Sequence, residues 1–223
     1  MSSLAKFFRD HNLRYRSVIA ERIAQIRAER TLTDDRAIVE PALLVVTSLV
    51  ARLRELTAAV ARFAERIATL CTRTADYRLF QHLPGAGPAL APRLLAAFGE
   101  NRNRFVGAPA IQKYTGTAPV TERSGKQHWV HWRLGCPKFI RQTFVERAGE
   151  TVTRSFWARA YYQQQRKKGA SRNVALRALA FKWIRILYRC WVDGVPYDES
   201  KYLAALQGRR SPLLHFIAAE AAA

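Results

Sequence analysis

The chain has 223 residues, 49% of them hydrophobic, with 11 glycines and 9 prolines. That is enough apolar mass for one sizeable core or two domains, and it excludes a disordered chain. Thirty-seven Lys and Arg against 17 Asp and Glu give a formal charge of +20, so a polyanion is the expected partner and nucleic acid the first candidate.

No apolar run reaches the roughly 18 residues of a membrane span, and the opening MSSLAKFFRDHN has no long apolar stretch. Neither a membrane helix nor a secretory signal is expected. Cys71, Cys136 and Cys190 lie far apart, without a CxxC pair or clustered histidines. This argues against a zinc site or a disulfide framework, and it fits a reducing cytoplasm. The charge is uneven: 13 basic and 9 acidic side chains up to residue 76, but 24 and 8 beyond it. The second part should be the one that meets phosphate.

A short helix is expected from about residue 14 to 30, with Ile19, Ile23 and Ile26 on one face. TLTDD at 31–35 supplies the turn and caps. Pro41 suits a first helical position and opens a long helix to Cys71. Along it Ala42, Val46, Leu49, Leu53, Leu56, Val60, Phe63, Ile67 and Leu70 follow in alternating steps of 4 and 3, a heptad seam. A helix on the order of 50 Å outruns any small domain. The shorter helix offers a partner for part of the seam, and a second copy would cover the rest. Asp10, Asp34, Asp35 and Glu40 read as capping and surface groups.

In LFQHLPGAGPALAPRLLAAFGENRNRF, residues 79–105, a helix ends near His82 and another starts at Pro88. Gly85 and Gly87 let the backbone turn sharply, and the amides opening the next helix make a phosphate seat. The pattern resembles a helix-hairpin-helix motif, with Arg93, Arg102 and Arg104 close by; a plain helical turn is the alternative.

Val120–Thr121, the loop ERSGK and then HWVHW read as two short strands around Gly125. Alternation places His128, Val130 and Trp132 on one face and Trp129, His131 and Arg133 on the other, and neither face is purely apolar. Helices follow over 138–149 and 154–168. Ser171 caps a further helix that runs to about Val192, stopped by Gly194 and Pro196. On it Lys182, Arg185 and Arg189 share a face, either a phosphate track or side chains snorkelling at the edge of a core. Asp198 caps a last short helix over 199–207, and the Ala-rich tail beyond Pro212 carries no readable chemistry.

Ser124 stands between Arg123 and Lys126. A serine hydroxyl attacks phosphorus only if its proton is removed and the charge on the phosphate oxygens is stabilised. Arg123 and Lys126 meet the second need, Gly125 lets a phosphodiester approach, and His128 or His131 is a candidate for the first. The residues alone leave two readings, a turn-forming serine or a nucleophile.

The region from Leu79 to Tyr202 resembles the C-terminal domain of insertion-sequence-110 family transposases, through LPGAGPALAPRLLAAFG, QKYTGTAPVTERSGK, HWVHWR and ALRALAFKWIRILYRCW. The resemblance implies a DNA recombinase with a guide (bridge) RNA and a coiled coil joining two protomers. It also implies a RuvC-like domain with acidic metal ligands, and a serine, here Ser124, that becomes covalently linked to DNA. No strand bearing such carboxylates precedes the long helix, so no metal is expected in this chain and Mg2+ only with a RuvC-like domain.

The expected architecture is mainly α: a helical coiled-coil arm over 1–76, a basic helical domain with a small β-hairpin over 77–210, and a tail over 211–223. Ser124 is the candidate nucleophile. Gly85, Gly87, Arg93, Arg123, Lys126, Arg133, Lys182, Arg185 and Arg189 are the candidate DNA contacts. A dimerising DNA- or RNA-binding module without catalysis is the alternative.

Overall fold

Asp35 opens the longest element of the protein. Its carboxylate accepts the Ala37 amide at 2.9 Å, its carbonyl accepts the amides of Ile38 and Val39, and an Arg36–Glu40 ion pair ties the first turn. The helix therefore starts at Arg36, and Pro41 lies inside it rather than at its first position. So close to the N-terminus a proline forfeits little more than one backbone bond, which the Asp35 cap offsets.

A computed structural model of the protein describes residues 16–29 and 33–221. Asp10, the first residues of the opening helix, and Thr31 and Leu32 of the turn lie outside that range. In chain order the elements are α1 (Arg16–Ala28), α2 (Arg36–Thr72), α3 (Tyr77–Gln81), α4 (Gly87–Phe98), a 3-10 turn (Arg102–Arg104), α5 (Ala108–Tyr114), β1 (Val120–Ser124) and β2 (Gln127–His131). Then come α6 (Lys138–Thr151), α7 (Phe156–Lys167), α8 (Arg172–Asp193), α9 (Glu199–Gly208) and α10 (Leu213–Ala221). The fold is mainly helical with one two-stranded antiparallel sheet. It divides into two compact units between Ala61 and Arg62, within α2.

Cys71 is the buried residue of α2. Its seam is open: Val46, Leu49, Leu53, Leu56 and Val60 are 52–66% exposed, and Phe63 is 68% exposed. The expected cover by α1 is not there. Thirteen residues rise about 20 Å against about 55 Å for α2, and Ile26, one of the three isoleucines α1 offers, is itself 48% exposed.

The second unit is built around α8. Ser171 accepts the Val174 amide at its start, and Gly194 in the left-handed conformation ends it. Leu179, Trp183, Ile184, Leu187 and Trp191 are buried against α5, α6 and α7. Buried indoles need acceptors, and each has one: Trp183 donates to Thr151 Oγ1 at 3.0 Å, Trp191 to the Gly99 carbonyl at 2.7 Å, Trp157 to the Tyr197 hydroxyl at 2.7 Å. Two elements carry no expectation in sequence. The first is α5, and the second is α10, a helix packed on α7 with Leu213 buried where the sequence reads only as a tail.

One buried side chain breaks the pattern. Arg147 of α6 is 1% exposed, stacks at 4.0 Å on the Trp183 ring, and has no hydrogen-bond acceptor on Nε or either terminal nitrogen. Burial pushes its guanidinium down to about 9. It stays charged at neutral pH, so Arg147→Met should raise stability by about 1–4 kcal/mol, read as a higher urea midpoint at unchanged m. In the unsubstituted protein the unfolded chain holds the proton more tightly, so unfolding free energy should rise with pH from about 9 upward. The Met variant should lose that rise.

Candidate nucleic-acid interface

The hairpin is set by its turn. Gly125 takes φ +57° at the first central position and Lys126 stays out of the left-handed region, the combination of a type II′ turn. The register follows: Ser124 opposes Gln127, Arg123 opposes His128, Glu122 opposes Trp129 and Val120 opposes His131. Ser124, Gln127, Glu122, Trp129 and His131 therefore share one face, while Arg123 and His128 lie on the other. Neither face is covered: every residue of the hairpin except Val120 is exposed.

This register decides the role of the histidines. His128 is near Ser124 in sequence pairing but points from the opposite face. His131 shares the face of Ser124 but sits four residues along the ladder, about 13 Å away, and its Nε2 lies 3.4 Å from Glu122. The expectation that one of them takes the serine proton fails on this geometry. Ser124 itself makes no side-chain hydrogen bond among the described residues, and Arg123 and Lys126 make no ion pair there. The turn tip therefore carries an open hydroxyl with the unneutralised Lys126 next to it in the turn, while the unneutralised Arg123 points from the opposite face.

The hairpin springs from a knot of buried polar groups. Gln112 of α5 donates to the Phe181 carbonyl at 2.8 Å, and its own carbonyl accepts from Thr115 and Thr117. Gly116, at φ +69°, leaves no room for a side chain: a Cβ there would lie 2.3 Å from Cys136 Sγ. All four lie in the QKYTGTAPVTERSGK stretch, but the role they share is a contact between distant segments, which the sequence does not show.

The α3–α4 turn has the expected shape, with Gly85 at φ +73° and Gly87 at φ +57°. The two glycines do different things. A Cβ at Gly85 would fall 2.6 Å from Glu150 Cβ on α6, whereas one at Gly87 would meet nothing within 4 Å. Gly85→Ala should cost about 2–4 kcal/mol from overlap plus strain, and Gly87→Ala about 1 kcal/mol from strain alone. Urea midpoints of the two variants check this. No side chain caps the start of α4; the Ala86 and Leu90 amides are bonded to the Leu83 and Ala86 carbonyls and Pro88 has no N–H, which leaves the Gly87 and Ala89 amides open.

The neighbouring arginines are committed elsewhere. Arg93 pairs with Glu146 at 2.9 Å and lies over the Phe139 ring. Arg102 pairs with Asp76 and stacks on Trp191. Arg104 bonds the carbonyls of Ala96 and Phe98 at the end of α4. On α8 the basic stripe is graded. Lys182 is half-buried over the Tyr161 ring at 4.5 Å, and burial, then the charge of Arg185, pulls its ammonium down. Arg185 is exposed without an ion pair, and Arg189 is held by Asp193 at 2.6 Å. Arg133, just beyond β2, is half-buried with an unpartnered Nε.

Among the described residues no three His, Cys, Asp or Glu side chains come together to hold a metal ion. Nor is any helix among them long and apolar enough to cross a membrane.

Residues 77–163 match a family described as Transposase IS116/IS110/IS902. The chain is 31% identical over 166 residues to a mini-circle protein of Streptomyces coelicolor named as the transposase for IS117, covering 71% of this chain and 39% of that protein. It is 30% identical over 118 residues to an uncharacterized 43.6 kDa protein of insertion element IS110 from the same organism, covering 52% and 29%. It is 26% identical over 165 residues to an uncharacterized 42 kDa protein of insertion element IS900 from Mycobacterium paratuberculosis, covering 66% and 40%. The matched stretch thus spans 40% or less of each relative's own length.

Proposed function

Residues 77–163 belong to the IS116/IS110/IS902 transposase family, and from that premise we propose that this chain handles DNA in the strand exchange of an insertion element, with Ser124 as the group that becomes bonded to DNA. The observation that carries the reading is the turn tip: an exposed serine without a hydrogen-bond partner, flanked by Arg123 and Lys126, which no carboxylate neutralises. In the reaction Ser124 Oγ bonds to phosphorus as the bond from phosphorus to one sugar oxygen breaks. The hydroxyl proton passes to an acceptor, and the departing sugar oxygen takes up a proton.

Neither histidine reaches Oγ; the hairpin's own candidate acceptor is Glu122, on the face of Ser124 and about 7 Å along the strand. Lys126, in the turn, stabilises charge on the phosphate oxygens, while Arg123 points from the opposite face of the ladder. The Gly87 and Ala89 amides at the start of α4 support a helix-hairpin-helix grip on backbone phosphate. The uncovered seam of α2 supports a coiled coil with a second copy. A guide RNA, a RuvC-like domain holding Mg2+ and a cytoplasmic setting come with the family resemblance. The carboxylates among the described residues do not form such a metal site, so no step here runs through a metal.

A second reading, a nucleic-acid-binding module without catalysis, is favoured by one fact: among the described residues Ser124 Oγ has no hydrogen-bond partner to take its proton. A denaturing gel separates the two, with labelled DNA carrying the element's junction and its guide RNA, and the chain alone or with a supplied RuvC-like domain. A slow covalent band establishes the recombinase reading. DNA binding without a band in either condition leaves the module.

A further inference from the structure

Several arginines of the second unit are matched by a carboxylate or by carbonyls; Arg141 and Arg177, which share one ring, have no carboxylate partner among the described residues. Trp132 and Arg133 follow β2, Arg141 lies on α6 and Arg177 on α8, and these three segments converge at the base of the hairpin. Arg177 Cζ sits 3.2 Å from the centre of the Trp132 ring and Arg141 Cζ 5.2 Å from it. Arg141 also donates to the Arg133 carbonyl at 3.3 Å, and Arg133 Nε is buried without an acceptor. No carboxylate forms an ion pair with Arg133, Arg141 or Arg177 among the described residues.

Holding two guanidiniums at one ring without a counter-charge costs energy. Arg177 registers the cost: burial, and then repulsion from Arg141, pushes its guanidinium down. An anion between them would relieve it. A guanidinium stacked on indole keeps its N–H edge free for the forked contact that suits phosphate oxygens. Trp132 remains 47% exposed, so the place is reachable from solvent.

We propose that Arg141 and Arg177, braced on Trp132, form a phosphodiester seat separate from the Ser124 turn, taking a second phosphate of the strand that lies along the hairpin. This rests on the DNA-handling reading above. Trp132 is five residues beyond Gln127, the partner of Ser124, or about 17 Å along the strand. The same chemistry would accept a phosphodiester of DNA or of RNA.

The test uses the full chain and fluorescence anisotropy with duplex DNA, single-stranded DNA and single-stranded RNA of equal length. R141Q/R177Q should raise Kd about tenfold and lower the slope of log K against log salt on duplex DNA by about 1–2, one for each phosphate that the variant no longer neutralises. A loss confined to the DNA arms, or to the RNA arm, names the strand that occupies the seat. Unchanged Kd and slope in all arms, with an unchanged thermal melt, would overturn the proposal and leave the arginines as a pin for the hairpin. If the unsubstituted chain binds none of the probes, the DNA-handling reading falls and this seat with it. Should R141Q/R177Q lose its helical circular dichroism, R141K/R177K replaces it. That variant keeps the charge and loses the fork, so affinity should fall at constant salt slope; unchanged affinity there overturns the proposal too.

Discussion

Ser124→Ala is expected to remove the covalent protein–DNA band completely while leaving DNA affinity within about twofold. On the proposed reading Oγ is the atom that bonds to phosphorus, and alanine deletes it, so no partial activity should survive in that assay. Affinity should hold because the hydroxyl is a neutral group at an exposed turn, and binding by a chain of this charge is carried by cations on phosphate. The turn should hold as well: its shape depends on Gly125 at φ +57°, and Ser124 contributes only its backbone to the register with Gln127. Ser124→Cys sharpens the result, because a thiolate is a competent nucleophile whose adduct differs in stability from a phosphoserine. A band that persists in Ser124→Ala would mean that another residue is bonded to DNA. Loss of binding together with the band would mean that the substitution damaged the hairpin.

The contrast between what can and cannot be read from sequence follows the range of the forces involved. Ser171, Asp198 and Gly194 are legible because caps act within three or four residues, and the structure has each where the sequence pattern puts it. The hairpin is legible in part: the pattern predicts two short strands around Gly125 but puts residues 122–126 in the loop, whereas β1 runs through Ser124 and leaves a two-residue turn. Pro41 misleads for a related reason: proline marks helix starts on average, but here the nearby Asp35 makes the stronger local cap. The pairing of Arg141 and Arg177 on Trp132 is invisible in sequence because they are 36 residues apart, on helices whose periodicity gives no hint that the two faces meet. Arg93 shows the same limit from the other side. Its position beside a glycine turn suggests a phosphate contact, and only the fold reveals Glu146 53 residues away. Charge counts point to the partner class; which cations remain free is a tertiary fact.

Leu53→Glu with Leu56→Glu should convert a dimer into a monomer in sedimentation at micromolar concentration. The two leucines are adjacent on the seam and each 62% exposed in the single chain. Fully burying a leucine is worth about 1.5–3 kcal/mol. A two-fold interface loses four such side chains and gains four carboxylates in an apolar seam, so the loss exceeds about 6 kcal/mol, or more than four decades in dissociation constant. Glutamate keeps helix propensity, so α2 itself should remain and the circular dichroism should not change. Arg54→Glu, between the two leucines in sequence but off the seam, is the matched control and should leave the mass unchanged. If Leu53→Glu/Leu56→Glu sediments like the unsubstituted chain, the seam does not face a second copy. On the proposed reading the pairing matters for the chemistry, because strand exchange would rejoin more than one broken end and each copy brings a single Ser124. The monomeric variant should therefore still bind DNA through its own second unit, but fail to join two ends. Loss of joining with retained binding would place the requirement for pairing after DNA capture.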